Sequence, residues 1–251
     1  AKEREEKESL QQELDEANRM QSALLPLRSP KISWLDMAGA SIPASEVGGD
    51  FFDYLIDEPK PKIAIADVSG KGLKAAMNAV MASGILNLSA QYQTVPSSIM
   101  SDMNNTLSQT MEQDMNVTMV LAQFDIQKKK MILANAGQHA YPLLKRGSSV
   151  EPIKAKGLAL GMIPSITYKP ITVDLQLGDL LLFMTDGITE PRNAEGLMYE
   201  ESGRFHQVLS ALSDELNAEE VVENIIQDVI DHMADEEERD DDITLVAVKV
   251  T

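Results

Sequence analysis

Four aspartates in this 251-residue chain stand where a carboxylate is costly to place. Asp50 lies in Gly48-Gly49-Asp50-Phe51-Phe52-Asp53. Asp67 follows the apolar run Ile63-Ala64-Ile65-Ala66 and precedes Val68-Ser69-Gly70-Lys71-Gly72. Asp186 closes Leu180-Leu181-Leu182-Phe183-Met184-Thr185 and precedes Gly187. Asp241 is the middle residue of Asp240-Asp241-Asp242, immediately before the apolar run from Ile243 to Val250. A carboxylate at the end of a buried strand loses hydration and needs compensating charge or hydrogen bonds. If all four converge, two divalent cations would neutralise them, which is the chemistry of a two-metal hydrolytic site.

Each motif also has a plainer reading. Asp67 or Ser69 can cap a helix that follows the strand. Asp186-Gly187 can form a hairpin turn. Asp50 can mark a simple loop entrance, and the acidic run from Asp235 to Asp242 can be a solvated face. The segment after Asp67 is not a nucleotide-binding P-loop: the preceding glycine of that pattern is missing, and Gly72 replaces its hydroxyl residue. The histidines add little. His206 and His232 fall on predicted helices, His139 falls in a loop between strands, and no Ser-His-Asp arrangement or HExxH motif is present.

The elements that must position these acids follow from periodicity. Residues 1–25 read as a charged helix in which Leu10, Leu14, Ala17, Gln21 and Leu24 form an a/d seam, ended by Pro26 and Pro30. That helix either packs on its own domain or dimerises as a signalling linker. The chain opens on Ala1-Lys2-Glu3 without an initiator Met, so the expectation is a fragment with a domain upstream. Strands are predicted between Ile32 and Asp67, then a helix over 72–92 and another from about Ser97 to Met111, started by Pro96. Further strands are predicted near 117–124, 131–135, 141–144 and 171–175. Leu180–Met184 is apolar throughout, as in a strand covered on both faces. Helices near 201–212 and 218–233 and a last strand over 243–250 complete the pattern. This order is not a βαβ repeat. It predicts an α+β fold of two packed, mainly antiparallel sheets flanked by helices, with an N-terminal linker helix over 1–28 and the catalytic domain over 29–251.

Composition narrows the function classes. Hydrophobic residues make up 43%, enough for a sizeable core, while aromatics make up only 4% and the 14 Met residues read mainly as core filler. Absence of cysteine excludes disulfides and thiolate metal sites and fits a reducing, cytoplasmic compartment. No apolar run approaches the roughly 18 residues of a membrane span. A net charge of −18 argues against nucleic acid and anionic membrane as partners.

Taken together, the motifs resemble the PPM-type (protein phosphatase type 2C) metal-dependent Ser/Thr phosphatases, in their bacterial SpoIIE-type branch. The segments that carry the resemblance are RMQSALLP, EVGGDFFDY, IADVSGKGLKAA, NVTMVLAQFD, ANAGQHAYPLL, LGDLLLFMTDGITEPRN and DDITLVAV, spread from Asn18 to Val250. The resemblance implies a β-sandwich with two Mn²⁺ or Mg²⁺ ions between the sheets. Asp50, Asp67, Asp186 and Asp241 would be the metal-binding acids, Asp67 bridging both ions and the Val68 carbonyl adding a backbone ligand. It further implies hydrolysis of phosphoserine or phosphothreonine by a metal-activated water, with no covalent phosphoenzyme. The expected role is the output domain of a bacterial signalling protein of the stress-response kind. It would act on a small anti-sigma-factor antagonist and work as a homodimer through the N-terminal helix. A weakly active or inactive adaptor that holds a regulatory partner is the alternative. Two departures stand out. Val68-Ser69 follows the bridging acid where eukaryotic members carry Gly-His, which leaves the leaving-group proton donor without a counterpart. The usual AGH reads Ala136-Gly137-Gln138-His139, with His displaced by one.

Overall fold

The computed structural model describes residues 18–19, 21–22, 25–26, 28–57, 59–234 and 239–251. Its strands are β1 (Leu35–Ile42), β2 (Phe51–Leu55), β3 (Lys62–Val68), β4 (Val117–Asp125), β5 (Lys130–Ala136), β6 (Leu143–Arg146), β7 (Ser149–Pro152), β8 (Ile171–Asp174), β9 (Leu180–Met184) and β10 (Ile243–Val250). Its helices are α1 (Gly72–Tyr92), α2 (Pro96–Thr110), α3 (Asp186–Thr189), α4 (Arg204–Ala211) and α5 (Ala218–His232). The strands form two five-stranded sheets, β1-β10-β9-β6-β7 and β2-β3-β4-β5-β8. Every strand pairing in them is antiparallel.

The apolar strands explain the layering. Successive side chains of a strand point to opposite faces. In β3, Ile63 and Ile65 enter the core between the sheets, while Ala64, Ala66 and Val68 face α1 and α2. In β9, Leu181 and Phe183 join the inter-sheet core, whereas Leu180, Leu182 and Met184 pack in the cluster that includes α4 and α5 residues. β10 divides in the same way, with Val246 and Val248 inward and Leu245 and Ala247 toward the helices. Both faces of each sheet are therefore covered, and these strands read as continuous apolar runs. The α+β sandwich expected from sequence is the observed fold.

Three local features differ from expectation. The strand predicted at 141–144 begins at Leu143 and continues into a hairpin with β7, turning at Gly147 with φ 58°. β7 was not anticipated because Ser149-Val150-Glu151-Pro152 is an edge strand whose residues are mostly exposed. The helix predicted from 201 starts at Arg204, where Gly203 takes a left-handed φ of 75°. Asp186-Gly187 is not a hairpin turn; it opens the single helical turn α3. By contrast, α5 starts where predicted, and Asn217 and Glu220 close a capping box there.

Most of the proposed linker seam, including Leu10, Leu14, Ala17 and Leu24, lies outside the described residues, and so does its dimer role. Gln21, read as a seam position, instead hydrogen-bonds the backbone of Gly48. The Gly48 N–H donates to Gln21 Oε1 at 3.0 Å, and the Gln21 amide donates back to the Gly48 carbonyl.

Phe183 is fully buried and meets Phe124 of the opposite sheet edge to face, with ring centroids 6.5 Å apart and planes at 80°. Phe183→Ala removes this contact between the sheets. The expected loss of unfolding free energy is about 3–5 kcal/mol, measurable by urea denaturation as a lower midpoint with an unchanged slope.

Candidate active site

The four candidate acids sit at one end of the sandwich because of strand direction. Asp50 immediately precedes β2, and Asp67 is the penultimate residue of β3, with Phe51 paired to Ala66 in register. Asp186 follows β9 after Thr185, and Asp241 stands two residues before β10, with Met184 paired to Leu245. Each sheet thus delivers one acid from the start of a strand and one from the end of its antiparallel neighbour.

Their charges act on one another. Burial pushes the Asp67 carboxyl up from 3.8 to about 7, and the charges of Asp186, Asp241 and Asp242 add to the rise. Asp50 is raised well above the ordinary carboxylate range, first by burial and then by Asp67 and Asp242. Asp186 is raised by burial and by Glu190, against a lowering influence of His139. Asp241 stands on the solvent-exposed rim, and its carboxyl is raised by partial desolvation and by Asp186. The structure brings all four together as electrostatic neighbours.

The framework that holds them was largely invisible in sequence. Asp242 is buried, and its carboxylate accepts backbone N–H bonds from Ala44 at 2.8 Å, Gly49 at 2.6 Å and Asp50 at 3.1 Å. The Thr185 hydroxyl donates to Asp50 Oδ2 at 2.6 Å, so the residue before Asp186 fixes the acid of the other sheet. Two close approaches require glycine. A Cβ on Gly49 would come within 2.8 Å of the Val68 carbonyl oxygen, and one on Gly187 within 1.9 Å of the Asp242 carbonyl.

Gln138 occupies the position where the AGH motif usually has His, and it is buried. Its Nε2 donates to the Met184 carbonyl at 2.9 Å. Its Oε1 accepts from Thr118, which is paired with Asp67 in register. Asn135 holds the loop, accepting from Gln138 N at 2.8 Å and donating to its carbonyl at 2.9 Å. The displaced His139 is exposed and shares a cleft with Asp186 and Glu190. His206 contacts Ser210, and His232 contacts the Leu197 carbonyl, as expected of structural histidines.

These residues fit a hard divalent cation in donor chemistry and in charge: all are oxygen donors, and their carboxyls stay raised despite the opposing influence of Lys71 on Asp241 and His139 on Asp186. Among the described residues, no three His, Asp or Glu side chains close into a ligating group. The acids stand at the range where charges interact, short of a shared coordination point.

The raised Asp67 carboxyl has a consequence for stability without metal. Its protonated form is favoured by folding, so this contribution is complete below about pH 4 and is lost as pH rises to about 7. Asp67→Asn removes the titration. With chelator present, the stability difference between variant and wild type should shift in favour of the variant between those pH values, by on the order of 2–4 kcal/mol. A pH-independent difference in chemical denaturation would contradict the perturbed carboxyl.

Comparison with known proteins follows the same line. Residues 58–251 match the family described as Stage II sporulation protein E (SpoIIE). The chain is 27% identical over 246 residues to phosphoserine phosphatase RsbU of Bacillus subtilis, covering 96% of this chain and 71% of that protein. It is 25% identical to Protein IcfG of Synechocystis sp., covering 94% of this chain but only 41% of that protein. In structure it superposes on the SiaA-PP2C domain of Pseudomonas aeruginosa with a TM-score of 0.86, covering 98% of both chains at 21% identity. A sandwich of this topology, with its acids gathered at one end, thus has its relatives in one group: the chain belongs to the SpoIIE family and is a hydrolase, a phosphatase domain of the PPM (PP2C) type.

Proposed function

We propose that this domain removes phosphate from phosphoserine or phosphothreonine on a partner protein, as the output domain of a signalling protein. The observation that carries the reading is the convergence of Asp50, Asp67, Asp186 and Asp241 from both sheets, with carboxyls raised by burial and by one another. The name of the relative RsbU, a phosphoserine phosphatase, supports the substrate class. A small anti-sigma-factor antagonist is the partner we propose, and the cytoplasm is the compartment.

The carboxylates of Asp50, Asp67, Asp186 and Asp241, with the Val68 carbonyl, are the groups that would hold two Mn²⁺ or Mg²⁺ ions. Such ions, when bound, supply Lewis acidity that acidifies water and offsets phosphoryl charge. The chain's own contribution is positioning. Thr185 orients the Asp50 carboxylate, Asp242 anchors the loop from Ala44 to Asp50, and Gln138 ties β4 to the end of β9. The Gly49 approach leaves the Val68 carbonyl uncovered by a side chain.

The test compares wild type with Asp186→Asn on a phosphoserine protein substrate in Mn²⁺. The variant should lose at least about a hundredfold in turnover, and chelator should stop wild type. The thermal stabilisation that Mn²⁺ confers on wild type should shrink in the variant. Turnover indifferent to both the substitution and chelator would overturn the metal-dependent reading. Stable partner binding with no hydrolysis by wild type would replace it with an adaptor.

A further inference from the structure

Arg239 stands two residues before Asp241. It lines a cleft with Asp67, Lys71 and Asp241, and an adjoining cleft with Gly187 and Arg192. In a chain of 40 acidic and 22 basic residues, an arginine here would be expected to pair with a carboxylate. Two other arginines do so, whereas Arg192 bonds the Gly196 carbonyl. Arg146 grips Asp179 with two bonds of 2.7 Å, and Arg204 grips Asp228 at 2.9 and 2.7 Å. Arg239 forms no ion pair among the described residues. Its Nη2 reaches only the Pro43 carbonyl, at 3.4 Å, and its Nε is buried with no hydrogen-bond partner.

A buried guanidinium donor without an acceptor is costly, and such a group calls for an explanation. None of the described carboxylates pairs with it, and the cleft it lines is open to an acceptor that arrives from outside. The planar guanidinium fork matches the oxygens of a phosphate group, which it can take in two parallel bonds. Lys71, on the same cleft, is already engaged by the Asp240 carbonyl at 2.7 Å.

We propose that Arg239 is the phosphoryl-binding residue of this site, its guanidinium taking oxygens of the substrate's phosphate group and of the product phosphate. This rests on the phosphatase reading above. It assigns a cationic residue beside the acids: the carboxylates would hold the cations, and Arg239 would hold the phosphate oxygens. Because the fork matters as well as the charge, lysine is a poor replacement.

The experiment is calorimetric titration of inorganic phosphate into the Mn²⁺-loaded chain, for wild type, Arg239→Lys and Arg239→Ala, with Mn²⁺ titrated into each metal-free protein in parallel. Wild type should bind phosphate. Arg239→Ala should bind it about tenfold more weakly or worse, Arg239→Lys should fall between them, and Mn²⁺ affinity should stay within about twofold. With p-nitrophenyl phosphate, KM should rise more than kcat falls. The proposal is overturned if wild type does not bind phosphate, if Arg239→Ala binds it as tightly as wild type, or if Mn²⁺ affinity collapses together with phosphate binding. Phosphate binding that depends on Arg239 without any turnover would contradict the phosphatase reading and leave the assignment of Arg239 standing.

Discussion

The carboxylate of Asp242 accepts three backbone N–H bonds from the segment that leads into β2, while Asp242 itself leads into β10. One acid thereby joins the edge strand β2 of one sheet to the interior strand β10 of the other, at the end where the remaining acids gather. Hydrogen bonds to a charged group are among the stronger ones in a protein. The Thr185 hydroxyl on Asp50 adds a second link between the sheets, and Gln138 a third, between β4 and the end of β9. Without such ties, repulsion among the acids would push the sheet ends apart.

The fold and the site pull in opposite directions here. Elsewhere, continuous apolar strands bury both faces, and the inter-sheet core closes without charge. At the acidic end, desolvation and mutual repulsion raise the carboxyls of Asp50, Asp67, Asp186 and Asp241. Local cost of this kind is characteristic of functional sites, where stability is given up for a prepared electrostatic environment. Hydrogen bonds from Thr185 and from the backbone around Gly49 hold the acids in place, and under the proposed function divalent cations would relieve their repulsion.

Much of this was legible in sequence because the signals were local and repeated. The runs Ile63 to Ala66, Leu180 to Met184 and Ile243 to Val250 declared buried strands, and an aspartate at each run's edge declared the end where chemistry would sit. The helix over 72–92 was also legible, being rich in Ala and Met and free of Pro despite Gly84 in its interior. What sequence did not reveal depends on partners far along the chain. Asp242 was indistinguishable from its neighbours in an acidic run until its backbone donors, nearly 200 residues away, were in view. Gln138 looked like a misplaced residue in a motif, yet its side chain spans both sheets. β7 carries little apolar pattern because it is an edge strand. Thr185 offered the one usable hint: a hydroxyl residue directly after an all-apolar strand and before an acid.

The central claim is that the acids gathered from both sheets are a seat for divalent cations. Anomalous diffraction from crystals of this chain grown with Mn²⁺ tests it most directly. The account predicts strong anomalous peaks bounded by Asp50, Asp67, Asp186 and Asp241, with the Val68 carbonyl among the ligands. Fully ordered acids with no anomalous density between them, at a Mn²⁺ concentration that supports turnover, would contradict it.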